Sequence, residues 1–186
     1  MVVILRLLFV LWMAVPFAYF ISAGANIFTV PKLRDSGAVL GQLSFASGMA
    51  CVFVMGLFYG LLAPAALCGA VLGLGAVLLY EWTRRTAVDL NFFVGLAGEV
   101  PPAVCESGPY RFVRHPFYLS YMVAFVAVSV AFPSLVVAVV CVTNIGLFMY
   151  MAVDDERVLM GSAIAADYAK YKSRVGMFLP RLAARR

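Results

Sequence analysis

The chain reads as an all-α protein, a polytopic membrane helix bundle, and three observations set that class. Of its 186 residues 65% are hydrophobic and only 12% charged, where a soluble domain is about half apolar and a quarter charged. The apolar residues fall in five runs, 2–22, 37–62, 64–82, 116–132 and 134–153, and a bilayer crossing needs about 20 such residues, with a usual range of 17–25. The few charges stand between those runs or at the C-terminus, as they do in the loops between crossings.

Taken in order, the first run carries Arg6 and ends at Ala23-Gly24-Ala25, which admits a cleaved signal peptide. It is long for the apolar part of such a peptide and further spans follow, so a retained first helix is expected. Pro64 separates the second run from the third and Pro133 the fourth from the fifth; each proline marks a tight turn between paired helices. Gly69 and Gly73 form a small-xxx-small pattern that lets helices pack closely. They do not make a nucleotide fingerprint with Gly75, because the strand and helix that such a fingerprint needs are missing. Any nucleotide-like cofactor must therefore be held without a Rossmann domain. Asn144, inside the fifth run, either lines a channel for a substrate or bonds a neighbouring helix. The length suits a single membrane domain over 1–186, with 1–62 supplying the N-terminal transmembrane helices.

Basic residues orient the five spans. With the N-terminus outside, Lys32, Arg34, Arg84, Arg85, Arg111 and Arg114 fall inside, together with Arg157, Lys170, Lys172, Arg174, Arg181, Arg185 and Arg186. Only Arg6 is left on the far side. The expectation is N-out/C-in with a cytoplasmic C-terminal helix, in a prokaryotic inner (plasma) membrane. The net charge of +5 is spread in short clusters at span ends, which suits anionic membrane lipids and argues against nucleic acid as a partner. Cys51, Cys68 and Cys141 lie in apolar runs, Cys105 precedes a charged segment, and His115 is the single histidine. That set gives neither a metal site nor a disulfide framework.

Polar sequence concentrates in the loop 83–115 and the tail 154–186, both on the inner face. The loop ends in Gly108-Pro109-Tyr110-Arg111-Phe112-Val113-Arg114-His115-Pro116-Phe117-Tyr118. Pro116 suits the first position of a helix, whose N-terminal N–H groups and dipole would bind carboxylate or phosphate. Arg114 and His115 stand just before it and Tyr118 three residues on. Taken singly, the arginines and tyrosines read equally well as interfacial anchors; together with His115 they read as a binding site. The tail opens with Asp154-Asp155-Glu156-Arg157, acids that oppose the dipole at a helix C-terminus. Either the helix runs on past the membrane or the acids have a task, although a solvated turn is adequate for Asp154.

These stretches resemble the superfamily of isoprenylcysteine carboxyl methyltransferases and phospholipid methyltransferases. Its members share a Gly-x-Tyr-x-x-x-Arg-His-Pro-x-Tyr segment, then an acidic pair, a Tyr-x-x-Tyr segment and a closing hydrophobic-Pro. Here these are Gly108 to Tyr118, Asp155-Glu156, Tyr168 with Tyr171, and Leu179-Pro180, so that the resemblance covers roughly 75–181. It implies a catalytic core that encloses S-adenosylmethionine at the cytoplasmic side, with a lipophilic acceptor entering from the bilayer. Carried over, Tyr110, Arg114, His115, Tyr118 and Glu156 surround the cofactor, with Tyr168 and Tyr171 on a covering helix. Arg114 then takes the methionine carboxylate, Glu156 the amine or ribose, and His115 and Tyr118 orient the cofactor; Arg114, His115 and Glu156 are the candidate catalytic residues. Three positions depart from the pattern. Ser120 replaces a usual glycine, the tail lacks the usual Phe-Gly and has one extra residue between Leu159 and Tyr168, and Met151-Ala152 stand where the carboxyl methyltransferases carry an arginine. The last departure bears on the acceptor, isoprenylcysteine-like or phospholipid-like, more than on the cofactor. Two rival readings are an NADPH-dependent membrane reductase of the steroid 5-alpha-reductase type and a non-catalytic membrane scaffold.

Overall fold

A computed structural model describes residues 2–27, 36–58, 63–89 and 103–181. Lys32, Arg34, Arg185 and Arg186, used above for orientation, lie outside the described residues, as does the stretch 90–102 of the polar loop. Six α-helices follow one another: α1 (Val2–Ile27), α2 (Ser36–Phe58), α3 (Ala63–Asp89), α4 (Pro116–Ala131), α5 (Leu135–Met160) and α6 (Ala165–Arg174), with a 3-10 turn at Gly108–Arg111 before α4. Among the described residues there is no β-strand, only an isolated parallel bridge between Val113 and Gly176.

Each expected span falls on one of the first five helices. Val3–Ser22, Pro64–Ala87 and Leu135–Met160 are long and apolar enough to cross a membrane, while Leu40–Gly56 and Pro116–Ala131 are shorter apolar helices. The outward faces carry the membrane signature. On α3, Leu67, Val71, Leu74 and Leu78 form an exposed stripe at helical spacing, and on α5 Leu135, Val136, Val139 and Val142 do the same. Water would penalise so large an apolar surface; lipid tails accept it.

Inside, packing is aromatic and close. Phe17 and Phe20 of α1, Tyr80 of α3, Phe125 of α4 and Phe148 of α5 are almost completely buried, with edge-on ring pairs such as Phe17–Phe125 at 5.1 Å. Gly69 explains how α3 and α4 approach: a Cβ there would lie 2.7 Å from both the Ala127 carbonyl and the Ala131 methyl. Asn144 bonds a neighbouring helix, accepting from the Ser44 hydroxyl and donating to Ser47 at 3.2 Å; both serines lie on α2. At the turn after α4, the Ser134 hydroxyl caps α5 by accepting from the Val137 N–H at 3.3 Å.

Two helices outrun their apolar runs. α3 continues to Asp89, so Arg84 and Arg85 are helical rather than part of a loop. Glu81 pairs with both at helical spacing, 2.7 Å to Arg84 and 2.6 Å to Arg85, and accepts from Tyr19 of α1. α5 runs on to Met160, with Arg157 in its last turn and Gly161 at its end. This removes the conflict with the dipole, because Asp154, Asp155 and Glu156 lie more than a turn inside the helix end, beyond the reach of its terminal charge.

Candidate active site

The site forms where the chain returns to the start of α4. Gly108 takes a left-handed conformation, φ +54°, and a Cβ there would collide with the Thr86 side chain of α3; glycine alone fits this turn. The 3-10 turn then delivers Val113-Arg114-His115 to the N-terminus of α4, where Pro116 begins the helix. The tail closes over this segment. The Arg114 N–H donates to the Gly176 carbonyl at 2.9 Å and the His115 N–H to the Met177 carbonyl at 3.2 Å. Tyr171 of α6 donates to the Tyr110 carbonyl at 2.7 Å. These bonds hold α6 and the segment 175–177 against the approach to α4, and the two predicted motifs become one structure.

At its centre stands Glu156. Its Oε1 accepts from Arg114 Nε at 2.7 Å and lies 3.2 Å from His115 Nε2, while Oε2 lies 2.6 Å from Lys172 Nζ. The Arg114 and Glu156 side chains are only 5% and 4% exposed, so neither charge would be tolerated without the other. Arg114 donates further, from Nη1, to the carbonyls of Val175 and of Lys172, the latter at 3.5 Å. One residue earlier on the same helix, and so about 100° around it, Asp155 accepts from the Tyr118 hydroxyl at 2.8 Å. The Tyr118 ring stacks on His115 at 5.8 Å and on Phe148 at 5.9 Å.

Beside Glu156 opens a cleft of about 380 Å³, lined by Arg114, Val153, Glu156, Arg157, Met160, Lys172 and Met177. That volume falls within the range of small-molecule sites. Its lining is mixed: one carboxylate and three cations together with a valine and two thioethers. Among the described residues no group of three or more His, Cys, Asp or Glu could hold a metal ion.

Of the expected site residues, Arg114 and Glu156 line the cleft, and His115 stands directly behind the Glu156 carboxylate. Tyr118 is joined to the site through Asp155 and its stack on His115. Tyr168, buried on α6, faces Glu156, and burial above all pushes its hydroxyl beyond the ordinary phenol range. Burial does the same for Tyr110 and Tyr171, so all three remain neutral hydroxyls at physiological pH. Tyr110 and Tyr171 serve each other as the clamp between α6 and the 3-10 turn. Sequence reasoning did not single out Lys172. Its signal was helical spacing, since it follows Tyr168 by four residues on one face of α6. Ser120 is fully buried and turns its hydroxyl back to the Phe117 carbonyl at 2.6 Å. Met151 and Ala152 are core residues, whereas Arg157 reaches the cleft.

With this geometry in view, comparison with known proteins is decisive. Residues 64–163 match the family described as phospholipid methyltransferase, more than half of the chain. The chain belongs to the phospholipid methyltransferase family. Over 90 residues it is also 35% identical to Methanethiol S-methyltransferase 1 of Bradyrhizobium diazoefficiens, a match that covers 48% of this chain and 30% of that protein. The chain thus spans under a third of that relative's length. No solved structure matches it. The family membership supports a membrane methyltransferase, and neither comparison favours the reductase.

Proposed function

We propose that the protein is an S-adenosylmethionine-dependent methyltransferase of the membrane, with residues 75–181 as its catalytic core, the cleft beside Glu156 as its cofactor site, and a lipophilic acceptor reached from the bilayer. The observation that carries this reading is a cleft lined by both charged and apolar side chains in a chain of the phospholipid methyltransferase family. S-adenosylmethionine has an amino-acid end with one carboxylate and one ammonium, and a less polar nucleoside end. Arg114, Arg157 and Lys172 suit the carboxylate, Glu156 suits the ammonium or a ribose hydroxyl, and Val153, Met160 and Met177 suit the remainder. Arg114 keeps its Nη2 group outside the three bonds described above. When bound, the cofactor supplies an electrophilic methyl group on a sulfonium.

The protein's share is positioning. Holding donor and acceptor in line within a near-attack distance is the main lever on such a displacement. His115 and Tyr118, stacked together at the start of α4, fix the wall on the acceptor side, and Tyr168 covers Glu156 from α6. A site at the membrane boundary excludes water and strengthens the remaining electrostatic contacts. The five apolar helices support five crossings, and the positive-inside distribution supports the N-out/C-in topology with a cytoplasmic site.

Membranes containing the protein, supplied with methyl-labelled S-adenosylmethionine, are expected to transfer label to solvent-extractable lipophilic product, and Glu156→Gln to abolish the transfer. Oxidation of NADPH by the same membranes, with no label transfer, would establish the reductase instead.

A further inference from the structure

We infer that Lys172 makes the cleft selective for a complete zwitterion: its ammonium holds the Glu156 oxygen that the cofactor's own ammonium takes, and it gives up that oxygen readily only to a ligand that also brings a carboxylate. This rests on the methyltransferase reading above and adds to it the residue that sets which ligands the site accepts.

Three side chains meet the Glu156 carboxylate, and they are not equally free to leave it. Arg114 is buried with Glu156 and is held a second time by the carbonyls of Val175 and Lys172. His115 has a side chain only 9% exposed, with its ring between Tyr118 and Phe178. Lys172 lies 2.6 Å from Oε2 with its side chain 43% exposed, on a flexible four-carbon stem. A ligand can therefore displace Lys172 and leave the buried pair of Arg114 and Glu156 intact. The backbone of Lys172 stays where it is, because α6 is fastened on both sides of it. Tyr171 donates to the Tyr110 carbonyl at 2.7 Å, and Arg174 donates to both oxygens of Glu106 at 2.8 and 3.0 Å. The side chain swings while the helix holds.

Charge decides what that swing costs. Arg157, the other exposed cation of the cleft, has Asp154 at 3.7 Å. Lys172 shares Glu156 with Arg114 and has no ion pair with any other carboxylate among the described residues. An ammonium that arrives at Oε2 repels Lys172 and takes its place. At a partly desolvated wall the displaced lysine is unfavourable until an anion meets it. The carboxylate of an amino-acid ligand, on the carbon that also bears the ammonium, is close enough to do so. A ligand with the ammonium alone strands Lys172, and a ligand with neither group leaves Lys172 on Glu156. Lys172 is thus a specificity-determining residue that acts by exchange of partners.

Calorimetric titration of detergent-purified protein with three ligands tests this: the demethylated product, the same molecule without its carboxylate, and methylthioadenosine, which has no amino-acid end. The parent is compared with Lys172→Met and Lys172→Arg, and thermal unfolding reports whether each is folded. Lys172→Met should bind the decarboxylated ligand more tightly than the parent does, by roughly fivefold, the scale of an ion pair with one exposed partner. Its affinity for methylthioadenosine should be unchanged. The parent's preference for the complete product over the decarboxylated ligand should shrink accordingly, and Lys172→Arg should keep it. Affinity for the decarboxylated ligand that stays the same or falls in folded Lys172→Met overturns the inference and leaves the cofactor reading standing, since Lys172 then serves only to hold the ligand's carboxylate or does not meet the ligand. An equal gain for methylthioadenosine overturns it too, because a wider cleft rather than exchange on Glu156 would be the cause. If folded parent binds neither the product nor methylthioadenosine, the cofactor reading itself falls and the inference with it.

Discussion

Arg114 spends Nε on Glu156 and Nη1 on two carbonyls of the returning tail, so one side chain both completes the site and fastens the C-terminus over it. A lysine could not reproduce this, because a point charge lacks the planar fork of donors. Arg114→Met removes one partner of a buried pair and should cost roughly 3 kcal/mol of unfolding free energy, read by denaturant titration in detergent. Glu156→Gln introduced into that variant should cost much less than it does alone, since partners in one network are not additive. Equal costs in both backgrounds would mean that the two residues act separately. At this scale the sequence was readable where residue type carries the chemistry: Arg114, His115 and Glu156 stand together in space. The division of labour between neighbours was not. Nothing in Asp155-Glu156 says which carboxylate meets Arg114, His115 and Lys172 and which meets a phenol, because that depends on how α5 is rotated against α4 and α6. Lys172 was hidden for the same reason, an ordinary surface lysine until α6 is folded back.

The helices themselves follow from apolar length, and their contacts from small residues. Gly69 and Gly75 lie six residues apart on α3 and look alike in the sequence. A Cβ at Gly69 would press on α4, whereas at Gly75 nothing lies within 4 Å. Gly69→Ala should therefore destabilise by about 1–3 kcal/mol, the usual cost of overpacking, and Gly75→Ala should leave stability unchanged or raise it by about 0.5–1 kcal/mol through helix propensity. Thermal unfolding of the two variants in the same detergent separates them; similar shifts would refute the close α3–α4 contact. Apolar runs located these elements well and their ends poorly. α3 passes its run by seven residues because Glu81, Arg84 and Arg85 support one another at helical spacing, and charge pairs of that kind leave no mark in hydropathy. The pairing of 175–177 with 113–115 was equally invisible, since backbone hydrogen bonds carry no side-chain signature.

For the whole molecule, exposed apolar stripes on α3 and α5 and a polar cluster at one end describe a bundle that meets lipid on its flanks and works at one face. With N-out/C-in topology, Pro133 and Ala163, at opposite ends of α5 and both exposed, lie on opposite sides of the membrane. In a background free of the four native cysteines, Pro133→Cys should react with an impermeant maleimide from outside intact cells, and Ala163→Cys only in inverted vesicles. The reverse pattern would invert the topology. The central claim is that the cleft beside Glu156 holds S-adenosylmethionine. Its most direct test is calorimetric titration of purified protein with that cofactor, its demethylated product and NADPH, repeated with Glu156→Gln, with His115→Ala, and with Asn144→Ala as a variant remote from the cleft. Binding of the cofactor or its product by the parent and Asn144→Ala, lost in folded Glu156→Gln and His115→Ala, is the predicted result. Binding that survives both substitutions, or binding of NADPH alone, would contradict it.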